Sequence, residues 1–459
     1  MILKVYLFVS LFLTPSAVIR VLNASNGSEC TVTMFGGDVN AFWACTTERA
    51  LQSNWWPSPI AGLFSYQEWN GYDGFWQDGA LLEALANFKS YANNTRYMSV
   101  LKSSYREIYE LKLAYAPYPS FDDMAWYALS YIRIYEVTGW PEFLDVAQQI
   151  FDFCWTSGWD SSGNCGGGMW FDNNRNSKQT ITNVQMLVVG AKLHRLTKRN
   201  DTQLLDKVML VWRYILKNGL VDTKTMLISD GARQNCTADG NYNPTYNQGV
   251  FVGALVELWK LLRDPQYLSM ANAVANATIT LKSVNGTLTE WCDFQVCNDD
   301  TKMYKGIFTR NLRYLMDAPG MVGTTAREQY SQWLNHNILS VLENNICYPR
   351  GVPKTCHVVY KDGPPFNNCT GPVFSENWHG PYNYTAPMQQ TSVLELFTAN
   401  IKLGTLCKGD ACAYDPPTPA PHPLTCKDDP CPPGQDCCSY GGSYTCCDSD
   451  QQCKNHVCV

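Results

Sequence analysis

Apolar residues recur at intervals of three and four along most of the chain. The runs "FWQDGALLEALANFKSY", "TNVQMLVVGAKLHRLT", "LLDKVMLVWRYILKNG", "NQGVFVGALVELWKLLRD" and "QYSQWLNHNILSVLEN" all show this spacing. It gathers apolar side chains on one face of a 3.6-residue helix. No comparable run alternates with a period of two, so strands are expected to be few and short. Between the helical runs lies a recurring joint: a helix ends, a short polar turn follows, and a new helix starts on an aromatic residue or Leu. In "TGWPEFLDVA", Gly139 is a helix stop and Pro141 a first-turn residue. The joints recur at about fifty to sixty residues, the length of a long αα-hairpin. The body is therefore expected to be all-α, with about a dozen helices in six hairpins. A closed (α/α)6 barrel and an open solenoid both satisfy this periodicity, which does not choose between them.

The ends of the chain break the pattern. Residues 1–20, "MILKVYLFVSLFLTPSAVIR", carry an early Lys4 and a short apolar run, as a secretory signal peptide does. That run is too short to span a bilayer, and no later stretch is long and apolar enough. Residues 413–425, "AYDPPTPAPHPLT", read as an extended Pro-rich linker. Residues 426–459 hold eight cysteines, including the doublets Cys437-Cys438 and Cys446-Cys447. So short a segment needs disulfides in place of a core. The helical domain then spans 21–412.

Composition narrows the function. Only 17% of the 459 residues are charged and the net charge is -6, which argues against a nucleic-acid partner. The 20 cysteines, an even set, point to an oxidising compartment. Nine N-x-[ST] acceptors agree: Asn23, Asn26, Asn93, Asn200, Asn235, Asn276, Asn285, Asn368 and Asn383. A secreted, extracellular monomer is expected. Histidines are scattered: His194 reads as structural, and His357 and His379 fall in an irregular Cys-rich stretch. There is no metal quartet, Walker loop or dinucleotide fingerprint, so neither metal nor cofactor is expected.

The candidate chemistry is "YPSFDDMAWYALSYI", where Asp122 and Asp123 stand at the start of a helix. One reading is structural. Ser120 is a good N-cap, Ser-x-x-Asp is a relaxed capping box, and acids in a first turn suit the helix dipole. The other is catalytic. One acid is enough for capping, the residues that follow are aromatic, and retaining glycosidases need two carboxyl groups about 5–5.5 Å apart. Repulsion at that range separates the two protonation steps, leaving one acid charged and the other protonated. Which is which is not legible from the residues.

Four segments in order resemble glycoside hydrolase family 76, the endo-α-1,6-mannanases and related cell-wall enzymes. They are "SFDDMAWYALSYI", "GGGMWFDNNRNSKQTITNVQMLVVGAKLHRLT", "YNPTYNQGVFVGALVEL" and "YKGIFTRNLRYL", with "FWQDGALLEAL" extending the match upstream. The resemblance implies an (α/α)6 barrel and retention of anomeric configuration. It implies a secreted hydrolase of α-1,6-mannosidic linkages in mannan, with Asp122 as nucleophile and Asp123 as general acid/base. Trp76, Trp126 and Trp170 become candidates for stacking on sugar faces, with core packing equally expected for each. Asn183, Asn247 and Gln248 become candidates for hydrogen bonds to sugar hydroxyls, against a capping role for Asn183. Asp78 and Asp172 are candidate supporting acids, and Gly249 a site of close backbone approach. A mannan transglycosidase and a non-catalytic carbohydrate-binding or signalling protein are the alternatives.

The chain departs from the family in the Cys-rich tail, whose spacing and "CPPGQDCC" resemble half of a granulin module, and in the Cys-rich insertion that begins at Cys347 and is expected to form a lid or rim. Disulfides Cys30–Cys45, Cys154–Cys165 and Cys292–Cys297 are expected from proximity.

Overall fold

The computed structural model describes residues 30–56, 64, 75–104, 120–197, 202–240, 243–295, 297–348, 356–358 and 369–403, with short stretches between 435 and 458. Twelve α-helices dominate the described residues. Six of them are α2 (Phe75–Ala92), α4 (Phe121–Thr138), α6 (Thr180–Leu196), α8 (Thr245–Leu262), α10 (Thr301–Met316) and α12 (Pro387–Ala399). Each packs on the next, and α12 packs back on α2. That last contact closes the ring and excludes the open solenoid. The other six form the outer layer: α1 (Val39–Trp55), α3 (Met98–Ser103), α5 (Pro141–Gly158), α7 (Thr202–Lys217), α9 (Pro265–Leu281) and α11 (Thr325–Asn344). Helices α5, α7 and α9 lie against α4, α6 and α8, and α1 lies against α12, so the first and last helices join.

The hydrophobic pattern explains the two layers. An outer helix buries one stripe: in α7 the buried residues are Leu204, Val208, Val211, Trp212, Tyr214 and Ile215. An inner helix is enclosed on all sides, and α8 is buried from Asn247 through Leu258 without a break. Such enclosure requires small residues where helices meet. A Cβ on Gly249 would lie 2.6 Å from Phe308 Cα, so glycine lets α8 and α10 touch. The joints follow their expected chemistry. Gly139 ends α4 at φ 75°, and Pro141 opens α5. At the α8–α9 joint, Arg263 takes the left-handed position at φ 61°, and Asp264 caps Gln266 N at 2.9 Å.

Polar and charged groups fill the axis of the ring away from the helix N-termini. Arg310 meets Glu395 at 2.7 Å and Glu83 at 3.4 Å. Arg195 bridges Glu136 at 2.7 Å and Glu257 at 3.2 Å. Burial pushes the Glu395 carboxyl up to about 8.

The strands are short, as the sequence pattern requires. Antiparallel pairs β1 (Lys178–Gln179) with β2 (Gly231–Ala232), β3 (Ser283–Val284) with β4 (Thr287–Leu288), and β5 (Ile346–Cys347) with β6 (Val373–Phe374) brace the connections that lead into inner helices. In the tail, β7 (Gln435–Tyr440) pairs with β8 (Ser443–Asp448), and β9 (Cys453–Lys454) with β10 (Val457–Cys458). The leader at 1–20 and the linker at 413–425 lie outside the described residues. Within the insertion, Val373, Phe374 and Trp378 are fully buried, so this part is packed onto the barrel.

Disulfides Cys30–Cys45 and Cys292–Cys297 form as expected. Cys154–Cys165 does not. Cys165 pairs with Cys236 across 71 residues, while Cys154 is a buried free thiol. Proximity in sequence misled here because Cys154 points from α5 into the core, while Cys165 sits in a loop that meets the segment after β2. A further pair, Cys347–Cys356, ties the insertion.

Candidate active site

Asp122 and Asp123 are the second and third residues of α4, at the N-terminal end of an inner helix. Ser120 occupies the N-cap in an extended conformation, but its side chain makes no capping bond. The capping-box reading is corrected accordingly. The helix start is held by backbone: Phe121 N donates to Phe171 O at 2.9 Å, and Ser120 bridges to Asp172. The two acids are thereby surplus to helix initiation. Both side chains are half-buried, and Asp122 Oδ1 is inaccessible and has no hydrogen-bond partner.

The electrostatics are those of a coupled pair. Burial pushes the Asp122 carboxyl well above the usual carboxylate range, with the Asp123 charge and then Asp300 adding to the rise. Backbone amides at the helix start oppose it. Ionisation of either acid therefore disfavours ionisation of the other.

An aromatic wall rises beside the pair. Trp76 lies 5.4 Å from Trp126 and 6.4 Å from Tyr304, ring centroid to centroid. Tyr304 stacks on Tyr246 at 4.0 Å, and Tyr246 lies 6.4 Å from Trp126. Trp76 is half-buried and its Nε1 donates to Asp300 Oδ1 at 2.8 Å, which also accepts from Gln77 Nε2 at 2.9 Å. Trp126 is only 2% exposed. It forms the base on which Trp76 and Tyr246 rest, so the expectation that it meets a sugar face is corrected.

The loop before α6 supports the pair from the other side. Trp170 is half-buried, and the Lys178 ammonium lies 4.6 Å from its ring. Lys178 is itself buried and donates to Asp160 Oδ2 and Gly167 O, both at 2.6 Å. Gly168 adopts φ 97°, and a Cβ there would meet Tyr214 at 2.5 Å, so this turn admits only glycine. Asn183 Oδ1 accepts from Met169 N at 2.7 Å, and its Nδ2 donates to Gln179 O at 2.8 Å. The side chain is fully buried, so Asn183 fastens this loop and does not face a ligand.

The amides on α8 are likewise turned inward. Gln248 exchanges two 2.8 Å bonds with the backbone of Ile228 and is fully buried. Asn247 Nδ2 donates to Asp230 Oδ1 at 2.6 Å and is 1% exposed. The expectation that these three amides bind hydroxyls directly is thus corrected: each is closed off by protein. Of the supporting acids, Asp78 is pushed well above its ordinary range by burial and acts with Asp123 on the Tyr127 hydroxyl. Asp172 is engaged in its own turn, accepting from Asn174 N at 2.9 Å.

Sequence reasoning missed Asp300, Tyr246, Tyr304 and Asp230. Asp300 had the same signal as Asp122: "NDDTKMYKGIF" is another Asp-Asp pair at the start of an aromatic-bearing helix. Burial raises the Asp230 carboxyl to about 6, against the Asn247 hydrogen bond.

The sequence pattern of glycosyl hydrolase family 76 matches residues 44–405. The chain belongs to this family. Similar proteins include a mannan endo-1,6-alpha-mannosidase of Candida glabrata, 25% identical over 263 residues that make up 55% of this chain and 54% of the relative. One from Saccharomyces cerevisiae is 28% identical over 185 residues, 38% of this chain and 40% of the relative. The chain spans about half the length of the yeast relatives it matches. Among solved structures, the family 76 α-1,6-mannanase of Salegentibacter superposes with a TM-score of 0.64 at 19% identity, covering 80% of this chain and 100% of that one. An inactive variant of that mannanase, with two consecutive aspartates changed to asparagine, was solved with α-1,6-mannotriose. At this identity the superposition establishes the shared helical barrel of family 76.

Proposed function

We propose that this protein is a secreted, retaining hydrolase of α-1,6-mannosidic linkages in mannan. The observation that carries the reading is the adjacent, half-buried, electrostatically coupled Asp122–Asp123 pair at an inner-helix N-terminus beside an aromatic wall. Similarity to the Salegentibacter mannanase and to the yeast mannan endo-1,6-alpha-mannosidases supports the substrate class. Disulfides in the barrel and sequon asparagines exposed at Asn93, Asn235, Asn285 and Asn383 support export.

In the first step, an Asp122 oxygen bonds to the anomeric carbon. The C1–O glycosidic bond breaks, and the Asp123 proton passes to the leaving oxygen. In the second, water gives a proton to Asp123 and its oxygen to C1, and the C1–Asp122 ester breaks. Asp122 as nucleophile follows from the family resemblance. Because burial disfavours a charged Asp122, this mechanism requires contacts to the bound sugar that favour ionised Asp122 and protonated Asp123. Trp76 and Trp170 are the half-buried rings positioned to stack on sugar, with Asn183, Asn247 and Gln248 holding the loops and acids behind them.

The test is incubation of the full-length secreted protein with linear α-1,6-mannan, with products sized over time. Shorter oligosaccharides are expected, and Asp122→Asn and Asp123→Asn should each abolish them. Longer products would assign a transglycosidase instead. An unchanged polymer would leave a binding protein.

A further inference from the structure

The connection between β4 and α10 places two large apolar side chains in solvent. Trp291 is 60% exposed and Phe294 47% exposed. Phe294 lies in the loop closed by Cys292–Cys297, a disulfide spanning five residues, and Trp291 immediately precedes that loop. The polar residues interleaved with them point inward: Glu290 is 3% and Asp293 5% exposed. Folding normally reverses this arrangement, burying the aromatics and exposing the acids. Two aromatics held outward on a stapled loop are the signature of a contact surface prepared in advance.

The inward acids tie the loop to the aromatic wall. Glu290 Oε1 accepts from Thr245 N at 2.9 Å and also from the Thr245 hydroxyl. Thr245 is the residue before Tyr246. Asp293 pairs with Lys305 at 2.5 Å, and Lys305 is the residue after Tyr304. Both anchors are thus adjacent in the chain to the stacked tyrosines. On the far side, Phe294 lies 5.6 Å from the His379 ring, and His379 contacts Thr289 Oγ1 at 3.0 Å. These anchors fix the loop to the starts of α8 and α10, the same helices that carry Tyr246 and Tyr304.

We propose that Trp291 and Phe294 form a distal sugar platform, which holds the part of a mannan chain that runs beyond the residues at Asp122 and Asp123. This rests on the carbohydrate reading of the cleft. A neutral polyhydroxylated ring fits the chemistry. Its C–H face matches an exposed indole or phenyl. The platform makes affinity depend on chain length, since only a long chain reaches both the acid pair and the loop.

The experiment uses the full-length protein carrying Trp291→Ala, Phe294→Ala or both, with Leu216→Ala on outer helix α7 as an exposed-apolar control. Binding to linear α-1,6-mannan is measured by affinity electrophoresis in an Asp123→Asn background, where no turnover occurs. The double variant should bind the polymer about tenfold more weakly, while the control binds as the parent does. In the active background, KM for the polymer should rise by a similar factor, and KM for α-1,6-mannotriose by less than a third of it. Equal losses for polymer and trisaccharide, or no loss for the polymer, overturns the platform. So does a parent protein that mannan fails to retain. If the parent binds mannan but cleaves none, the hydrolase reading falls, and the comparison of variants still decides this one.

Discussion

Asp300 Oδ1 accepts the Trp76 indole N–H at 2.8 Å, and the same carboxylate raises the proton affinity of Asp122. One side chain therefore fixes the aromatic wall and tunes the acid pair. Replacing Asp300 by Asn removes a negative charge beside two coupled acids. Both macroscopic steps of the pair should move to lower pH, because each proton is then held less tightly. The pH–rate profile should shift downward on its acidic and basic limbs together, and KM should rise modestly because the amide carbonyl introduced by Asp300→Asn is a weaker acceptor for the Trp76 indole than the carboxylate. A rise in KM with unmoved limbs would show that Asp300 only orients the ring.

The identity of the nucleophile is open to direct capture. A 2-fluoro mannosyl donor slows breakdown of the ester, and peptide mass spectrometry then locates the added mass. It is expected on Asp122. Mass on Asp123 would reverse the two roles. The preceding helix residue, Phe121, provides an unreactive internal reference in the same peptide.

Asp122 also makes a stability prediction. Its folded-state carboxyl is raised, so the folded protein binds this proton more tightly than the unfolded chain does. Above the ordinary carboxylate range, the unfolded chain releases the proton first, and folding stability falls as pH rises toward the folded-state value. Asp122→Asn removes that penalty. The variant should be inactive yet melt higher than wild type at neutral pH, by roughly 2 °C or more, with the gain vanishing below about pH 4. An unchanged or lower melting temperature at neutral pH would mean that the acid is stabilised by contacts that outweigh its desolvation.

Local features were legible in the sequence, and features that depend on which way a residue faces were not. The acid pair, Gly139 and Pro141 act within one helical turn, so neighbouring residues define them. Ring closure is a contact between α2 and α12, over three hundred residues apart, and periodicity is silent about it. Trp126, Asn183, Asn247 and Gln248 were candidates because of residue type and proximity to the motifs. Helical phase turns each of them into protein. Asp300 carries the same local signal, two acids before a helix, but lies just outside the segments that resemble family 76. The Cys165–Cys236 pair joins two loops that the ring brings together, and no spacing rule reaches across 71 residues.

Asn183 separates positioning from binding. Its amide pairs with the backbone of Met169 and Gln179 in a fully buried setting. Asn183→Ala leaves those groups without partners, at a cost of about 2–4 kcal/mol. The urea midpoint should fall accordingly, and activity should fall because the adjoining Phe171 carbonyl holds the start of α4. If stability is retained and only KM rises, the side chain contacts sugar after all.

The buried charges on the ring axis should make stability decline toward alkaline pH. Glu395, enclosed with Arg310 and Glu83, is raised to about 8 by burial, with the Glu83 charge adding to the rise and Arg310 opposing it. Its unfolded counterpart titrates near 4.5. Between those values the folded state retains a proton that the unfolded chain has lost, so each step up in pH favours unfolding. Glu395→Gln should flatten the profile across that window, whereas Arg310→Met should steepen it. The latter leaves Glu395 without the cation it is paired with, and breaking a buried pair in this way costs about 3–5 kcal/mol. Denaturant midpoints measured from pH 5 to pH 8 give the sign. A parallel pair of profiles for wild type and Glu395→Gln would show that Glu395 stays ionised throughout and that Arg310 compensates its burial in full.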